Sequence, residues 1–340
     1  MKKIILLLLL SISIFTACGK KENEKEKQTQ TQIKEKTENL KEKQKEAIKV
    51  KLGVPKAPPA LPVLRMIETK ALGENVNIEM EIWDSPEKLI AMVQGKEHNL
   101  FAFPLTVVAK LHNKGADLKL MNVNTWGVTY FMTSDPDFKT WKDLKGKTIY
   151  VPLKSSPPDA LTQYFINKAG LKIGTNVTVN YAGMTEIAQL LISGKAQYAT
   201  LIEPQVTRVK MQNPKVKVAL EFENEWKKVT KTDTMIPNAG FGAMGKFVKE
   251  NPELAKKFQN EYEKALKWVK ENPAEAGKLA EKHLGLKSKL IENAIPNMGL
   301  YFKNSKDASK ELKIFYEMLN EFDSKMIGGK IPSEDMYYEN

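Results

Sequence analysis

The chain has 340 residues, 42% of them hydrophobic and 28% charged, and 53 Lys and Arg against 41 Asp and Glu give a formal net charge of +12. The length allows a two-lobed folded body, and the basic surplus is scattered lysine: Arg65 and Arg208 are the only arginines, and no Lys/Arg run interleaves with aromatics as a nucleic-acid surface requires. One cysteine argues against a disulfide framework, and the dispersed His98, His112 and His283 lack metal-ligand spacing, so no nucleic acid, metal or cofactor is expected.

Met1-Lys2-Lys3 precedes an apolar stretch from Ile4 to Phe15 and then Thr16-Ala17-Cys18-Gly19. A basic start, an apolar segment too short to span a bilayer stably and small residues before a cleavage point read as a secretory signal peptide. From Gly19 to about Ala47 the chain alternates Lys, Glu, Gln, Thr and Asn, with only Ile33 and Leu40 to bury, so no packed core is expected there. This segment reads as a charged tether.

Short strands and amphipathic helices then alternate. Val50 to Val54 predicts a first strand, Pro58-Pro59-Ala60-Leu61-Pro62 a helix entry, and Val76 to Ile82 a second strand by its strict period of two. Ser85 is the expected N-cap of a helix to Gln94. Asn99 to Phe103 is a third strand, and Pro104-Leu105-Thr106 starts a helix to about Gly115. A second set repeats the plan: strand Lys147 to Pro152, helix entry Ser155 to Asp159, strand Val177 to Tyr181, a helix Glu186 to Ile192 capped by Thr185, strand Ala199 to Ile202, and Glu203-Pro204 opening a further helix. Two β-α-β-α sets predict two similar lobes with parallel strands. In open α/β sheets ligands sit beyond the strands' carboxyl ends, which places a cleft at Lys56 to Ala60, Pro104 to Thr106, Ser155 to Asp159 and Glu203-Pro204.

Single residues carry competing readings. Trp83 falls on the parity opposite Ile78, Met80 and Ile82, so it is either a stacking surface for ligand or packing beneath the next helix. Trp126, in a crossover, has the same two readings. Ser155, Ser156 and Thr106 are hydroxyls at helix starts, for ligand oxygen or for capping. Glu203 either accepts a ligand N–H or places charge at a helix N-terminus. Lys56 is either an anion partner or a solvated lysine. The absence of arginine near these loops argues against bidentate clamping of a carboxylate or phosphate. Gly240-Phe241-Gly242-Ala243-Met244-Gly245 matches G-x-G-x-x-G, but Asn251-Pro252 breaks the helix that should follow, so close backbone packing is the better reading.

Trp141-Lys142-Asp143-Leu144-Lys145-Gly146-Lys147-Thr148-Ile149-Tyr150-Val151, Gly194 to Ala199 followed by Glu203-Pro204, and Trp268 to Ala276 together resemble the ABC-importer solute-binding proteins of the nitrate/sulfonate/taurine and thiamine-pyrimidine type, over Val50 to Tyr338. Gln197 departs from the aspartate usual in that family, as does the first-lobe segment Gly95 to Leu100. Phe-Thr-Ala-Cys resembles the bacterial lipobox, which implies a diacylglyceryl group on Cys18. The resemblance implies an α/β, two-lobed periplasmic binding protein of type II, each lobe a mainly parallel sheet with flanking helices, joined by two hinge crossovers near Asn122 to Tyr130 and Thr234 to Gly242. The expected organisation is signal peptide 1–17, lipidated Cys18 and tether 18–47, first lobe 48–126 plus 241–325, second lobe 127–240, and tail 326–340. It also implies a monomeric, lipid-anchored receptor on the extracytoplasmic face of a membrane, working with an ABC permease and ATPase. Its ligand set is Lys56, Pro58, Trp83, Pro104, Thr106, Trp126, Ser155, Ser156 and Glu203. The cargo implied is a sulfonate- or nitrate-like anion or a heterocyclic vitamin precursor. The alternatives are an enzyme on the same fold, acting on a pyrimidine or menaquinone-pathway metabolite, or a surface adhesion lipoprotein.

Overall fold

The computed structural model describes residues 48–339; Cys18, the signal peptide and the tether lie outside the described residues. Strand β1 (Ile48–Pro55), helix α1 (Ala60–Glu68), β2 (Val76–Trp83), α2 (Pro86–Gly95), β3 (Leu100–Pro104) and α3 (Leu105–Asn113) follow one another in the expected β-α-β-α order. β1 pairs in parallel with β2 and β3, with Leu52 opposite both Met80 and Leu100. Ser85 caps α2, its Oγ accepting the N–H of Lys88 at 3.2 Å ahead of Pro86. Strand parity also divides β2: Ile78, Met80 and Ile82 pack into the cluster around Leu52 and Phe258, whereas Trp83 joins Phe101 and Phe103 on the other face.

β4 (Leu118–Trp126) leads through Gly127 into β5 (Thr129–Thr133) of a second sheet. That sheet gathers β6 (Thr148–Val151), α4 (Pro157–Lys168), β7 (Thr178–Tyr181), α5 (Met184–Ile192), β8 (Tyr198–Ile202), α6 (Gln205–Gln212), β9 (Lys217–Glu221) and α7 (Phe222–Thr230). The expected cap at Thr185 is displaced: Gly183, in extended conformation, precedes α5, which begins at Met184, two residues before the expected Glu186. The chain returns to the first sheet through β10 (Pro237–Met244), which lies between β3 and β4. Residues 237–240, placed with the second lobe on sequence grounds, are therefore strand of the first sheet.

Both sheets are mixed rather than mainly parallel. The first runs β11-β4-β10-β3-β1-β2, where β11 is Leu300–Asn304, and the second β7-β6-β8-β5-β9. Each has a parallel trio from its β-α-β-α set and antiparallel neighbours supplied by the crossing strands and their extensions. Periodicity reports strands but not their partners, so this direction was outside its reach. Gly240 sits in the middle of β10, and a Cβ there would lie 1.9 Å from the carbonyl oxygen of Asn122 on β4. Close strand approach accounts for the glycine, and no phosphate-cradling turn exists at this G-x-G-x-x-G segment.

After α8 (Gly245–Glu250), α9 (Pro252–Glu271) covers the first sheet, with Phe258 and Tyr262 against Phe241 at ring separations of 5.1 and 4.9 Å. α10 (Pro273–Leu284) and α11 (Ser288–Ala294) follow. α12 (Ser309–Asp323) packs against elements of both sheets' halves: Phe315 meets Trp226 of α7, Phe322 meets Tyr164 of α4, and the Tyr316 hydroxyl donates to the Leu105 carbonyl of α3 at 3.1 Å. One continuous apolar cluster thus runs from Phe101 and Phe103 through Phe315 to Trp141, Phe165 and Phe222. Burial of aromatics on this scale contributes several kcal/mol of apolar transfer free energy.

Candidate functional site

The carboxyl ends of β1, β2 and β3 carry Pro55, Trp83 and Pro104, and those of β6 and β8 lead to Leu153 and Ile202. These residues line one cavity, with the starts of α1 and α4, Thr125 and Val128 of the first crossover, and Asn238 and Ala239 of the second. Its volume is about 50 Å³. The lining is apolar apart from Trp83, Thr125, Ser156 and Asn238, and includes Pro55, Pro58, Pro59, Pro104, Pro157 and Pro158.

Four of the nine residues read as ligand contacts reach this cavity: Pro58, Trp83, Pro104 and Ser156. Trp83 is 3% exposed and Ser156 fully buried, and neither its Nε1 nor the Ser156 Oγ has a hydrogen-bond partner among the described residues. Asn238 is 5% exposed; its Nδ2 donates to the Thr129 hydroxyl at 3.1 Å while its Oδ1 is unpartnered. Buried polar atoms are ordinarily paired, and leaving one unpaired costs about 1–3 kcal/mol. Three such atoms belong to residues that line this one cavity.

The other five lie elsewhere. Lys56 is exposed and is not among the residues that line the cavity. Thr106 is buried and donates to the Ser155 carbonyl at 2.9 Å, a direct link between the start of α3 and the loop before α4. Ser155 adopts a positive φ of 65°, and its N–H is held by the Asp159 carboxylate at 2.7 Å. Asp159 also accepts from the Tyr181 hydroxyl and Gln163, and burial raises its carboxyl above the usual range against the pull of those bonds. The Thr106 hydroxyl and the Ser155 backbone are therefore both used within the protein.

Glu203 is 1% exposed and turned onto α6: its oxygens accept from the Thr207 N–H at 3.0 Å and the Thr207 hydroxyl at 2.9 Å. Burial pushes its carboxyl up to about 7, opposed by those two bonds. It behaves as a helix-start carboxylate rather than a ligand contact. Trp126 faces the opposite side of the crossover, where its Nε1 donates to the Tyr301 carbonyl at 2.6 Å. There it lines a separate groove of about 630 Å³ with Tyr130, Glu221, Glu223, Lys227 and Lys270.

Asn238, Leu153, Met184 and Ile202 line the cavity without having been singled out from sequence. Only Asn238 carried a signal, as an amide inside a segment otherwise made of Pro, Ala, Gly and Phe. The aliphatic residues look the same in sequence whether they face a core or a cavity.

A two-sheet α/β body with strand ends converging on one cavity defines the periplasmic-binding-protein fold. The NMT1/THI5 like family model matches residues 74–276, and the chain belongs to that family. An ABC transporter structure from Parabacteroides distasonis superposes with a TM-score of 0.71 at 19% identity, covering 86% of this chain and 99% of that one. The alkanesulfonate-binding protein SsuA from Xanthomonas axonopodis pv. citri, bound to MOPS, gives 0.70 at 15% identity, covering 86% and 99%. Protein YtlA of Bacillus subtilis (strain 168) is 26% identical over 151 residues, which are 44% of this chain and 43% of YtlA. The chain thus spans less than half the length of that curated relative. The two solved structures share this chain's fold.

Proposed function

We propose that this chain is the solute receptor of an ABC importer. It captures a small molecule between its two sheets by closure about the crossing strands and passes it unaltered to a permease and its ATPase. One observation carries the reading: the cavity is walled by strand ends and helix starts from both sheets, and buried polar atoms on both walls lack partners. A ligand bonding to both walls stabilises the closed arrangement over the open one by its differential affinity. The names of the structural neighbours, one an alkanesulfonate-binding protein, support the same reading. Lipid on Cys18, with residues 19–47 as a tether, is part of this proposal and implies confinement of a monomeric receptor at a membrane's extracytoplasmic face.

Native mass spectrometry of the purified protein tests it, with the expected result a stoichiometric small molecule released on unfolding. Small-angle scattering before and after its removal is expected to show a larger radius of gyration for the emptied protein. Superimposable curves would sink the closure mechanism. For the anchor, metabolic palmitate labelling that survives Cys18→Ser would remove Cys18 from its role.

A further inference from the structure

The starts of α1 and α4 face the cavity from opposite walls, and an anion would ordinarily be held there by free backbone N–H groups. Proline has removed those donors. Pro58 and Pro59 precede α1, Pro62 occupies its third position, and Pro157 and Pro158 fill the first two positions of α4. Several of the N–H groups that remain at these two starts are already bonded: Ala60 donates to the Ala57 carbonyl at 3.0 Å, Leu61 to Pro58 at 3.2 Å, and Ser156 to Leu153 at 2.9 Å.

The α4 start also holds its own anion. Asp159, 1% exposed in the first turn, occupies the favourable position for negative charge and binds the Ser155 N–H. Among the described residues, no lysine, arginine or histidine lines the cavity. Lys154, beside the α4 entry, sits over the Tyr181 ring at 5.2 Å. A sulfonate or nitrate in this place would be desolvated with no countercharge and few donors, at high cost.

The unpartnered groups ask for something different. Trp83 Nε1 is a donor only, Ser156 Oγ donates or accepts, and the Asn238 amide presents its unpartnered oxygen. We propose that the cleft is a receptor for an uncharged, compact molecule whose apolar body carries a hydrogen-bond acceptor facing Trp83 and a donor facing Asn238. The proposal rests on the solute-receptor reading. It assigns specificity to Trp83, Ser156 and Asn238, with the prolines as the elements that reject anions. Building repulsion or missing partners against a competitor is a recognised route to selectivity.

Methanesulfonamide and methanesulfonate share shape and size, and only the first is neutral at pH 7. Saturation-transfer NMR on the full chain in detergent, reading the methyl protons, is expected to show the sulfonamide binding at least tenfold more tightly. Asn238→Leu and Ser156→Ala, each checked by its melting temperature, should weaken sulfonamide binding severalfold or more. Ala57→Trp, which fills the cavity from a loop, should abolish it. Sulfonate binding as tightly as the sulfonamide, and sensitive to Ala57→Trp, overturns the proposal and leaves the receptor reading intact. Binding of neither probe, or sulfonamide binding indifferent to all three substitutions, also overturns it. The receptor reading stands or falls separately, on the co-purified molecule and the scattering curves.

Discussion

On one side of the crossing strands, Thr125 and Val128 face a cavity of about 50 Å³ walled by prolines, Trp83 and aliphatic side chains. On the other, Trp126, Gly127 and Tyr130 face a groove of about 630 Å³ bordered by Glu221, Glu223, Lys227 and Lys270. The same few residues of backbone serve both. In the groove, tryptophan and tyrosine polar atoms find protein partners: Trp126 Nε1 bonds the Tyr301 carbonyl, and the Tyr130 hydroxyl bonds the Asn297 carbonyl at 3.3 Å. In the cavity the equivalent atoms of Trp83, Ser156 and Asn238 find none. One groove atom, Glu223 Oε1, is also buried and unpartnered, so what sets the cavity apart is that three such atoms, drawn from both sheets, belong to residues lining one space.

The largest expected effect that sharpens this contrast is at Trp83. Trp83→Ala removes a nearly fully buried indole and should cost about 3–5 kcal/mol of stability, while ligand affinity falls at least tenfold, about 1.4 kcal/mol. Thermal melts and titration with the co-purified molecule separate the two. Lost stability with unchanged affinity would make Trp83 packing only.

Next comes Glu203, buried behind the cavity wall. Because its folded-state carboxyl is raised from 4.5 to about 7, the folded protein keeps a proton that the unfolded chain releases between those values. Its contribution is therefore fully present below about pH 4.5 and lost as pH rises through about 7, a change on the order of 3 kcal/mol. Glu203→Gln should flatten that part of the stability profile and melt above the wild type at pH 8. Parallel profiles for the two proteins would show that the carboxylate is better compensated than its surroundings indicate.

Thr106→Val tests the seam between the helix start of α3 and the loop before α4. It leaves the Ser155 carbonyl without its donor and should cost about 1 kcal/mol, with a shift toward the open form in scattering of the unliganded protein. The smallest effect is expected on the groove side. Tyr130→Phe removes a long, exposed hydrogen bond to Asn297 and should change stability by about 0.5 kcal/mol or less without altering ligand affinity. An affinity loss there equal to that of Trp83→Ala would erase the distinction between the two sides.

The order of elements, the cap at Ser85, the parity of Trp83 and the helix entries around the cavity were legible in the sequence because each is local. Strand period, proline position and capping chemistry act within a few residues. Lys56, Thr106, Ser155 and Glu203 fall at or just before helix entries in chain order, yet the Thr106 hydroxyl turns to the Ser155 carbonyl, the Glu203 carboxylate to Thr207, and Lys56 is exposed. A hydroxyl or carboxylate at a helix start has two outlets, and sequence does not say which one is nearer.

The sequence by itself determined two α/β sets, two crossovers, and the arginine-poor, proline-rich character of the cleft loops, since these follow from residue type and spacing. Tertiary structure alone decided that the sheets are mixed, that Gly240 lies against Asn122, and that α12 joins both halves. It also decided that Asn238, Ser156 and Trp83 share a cavity while Trp126 faces away. Those outcomes depend on which distant segments meet across a few ångströms. Pairing partners and unpaired polar atoms come into existence only when the segments from residues 48–126, 129–230 and 237–304 pack around one another.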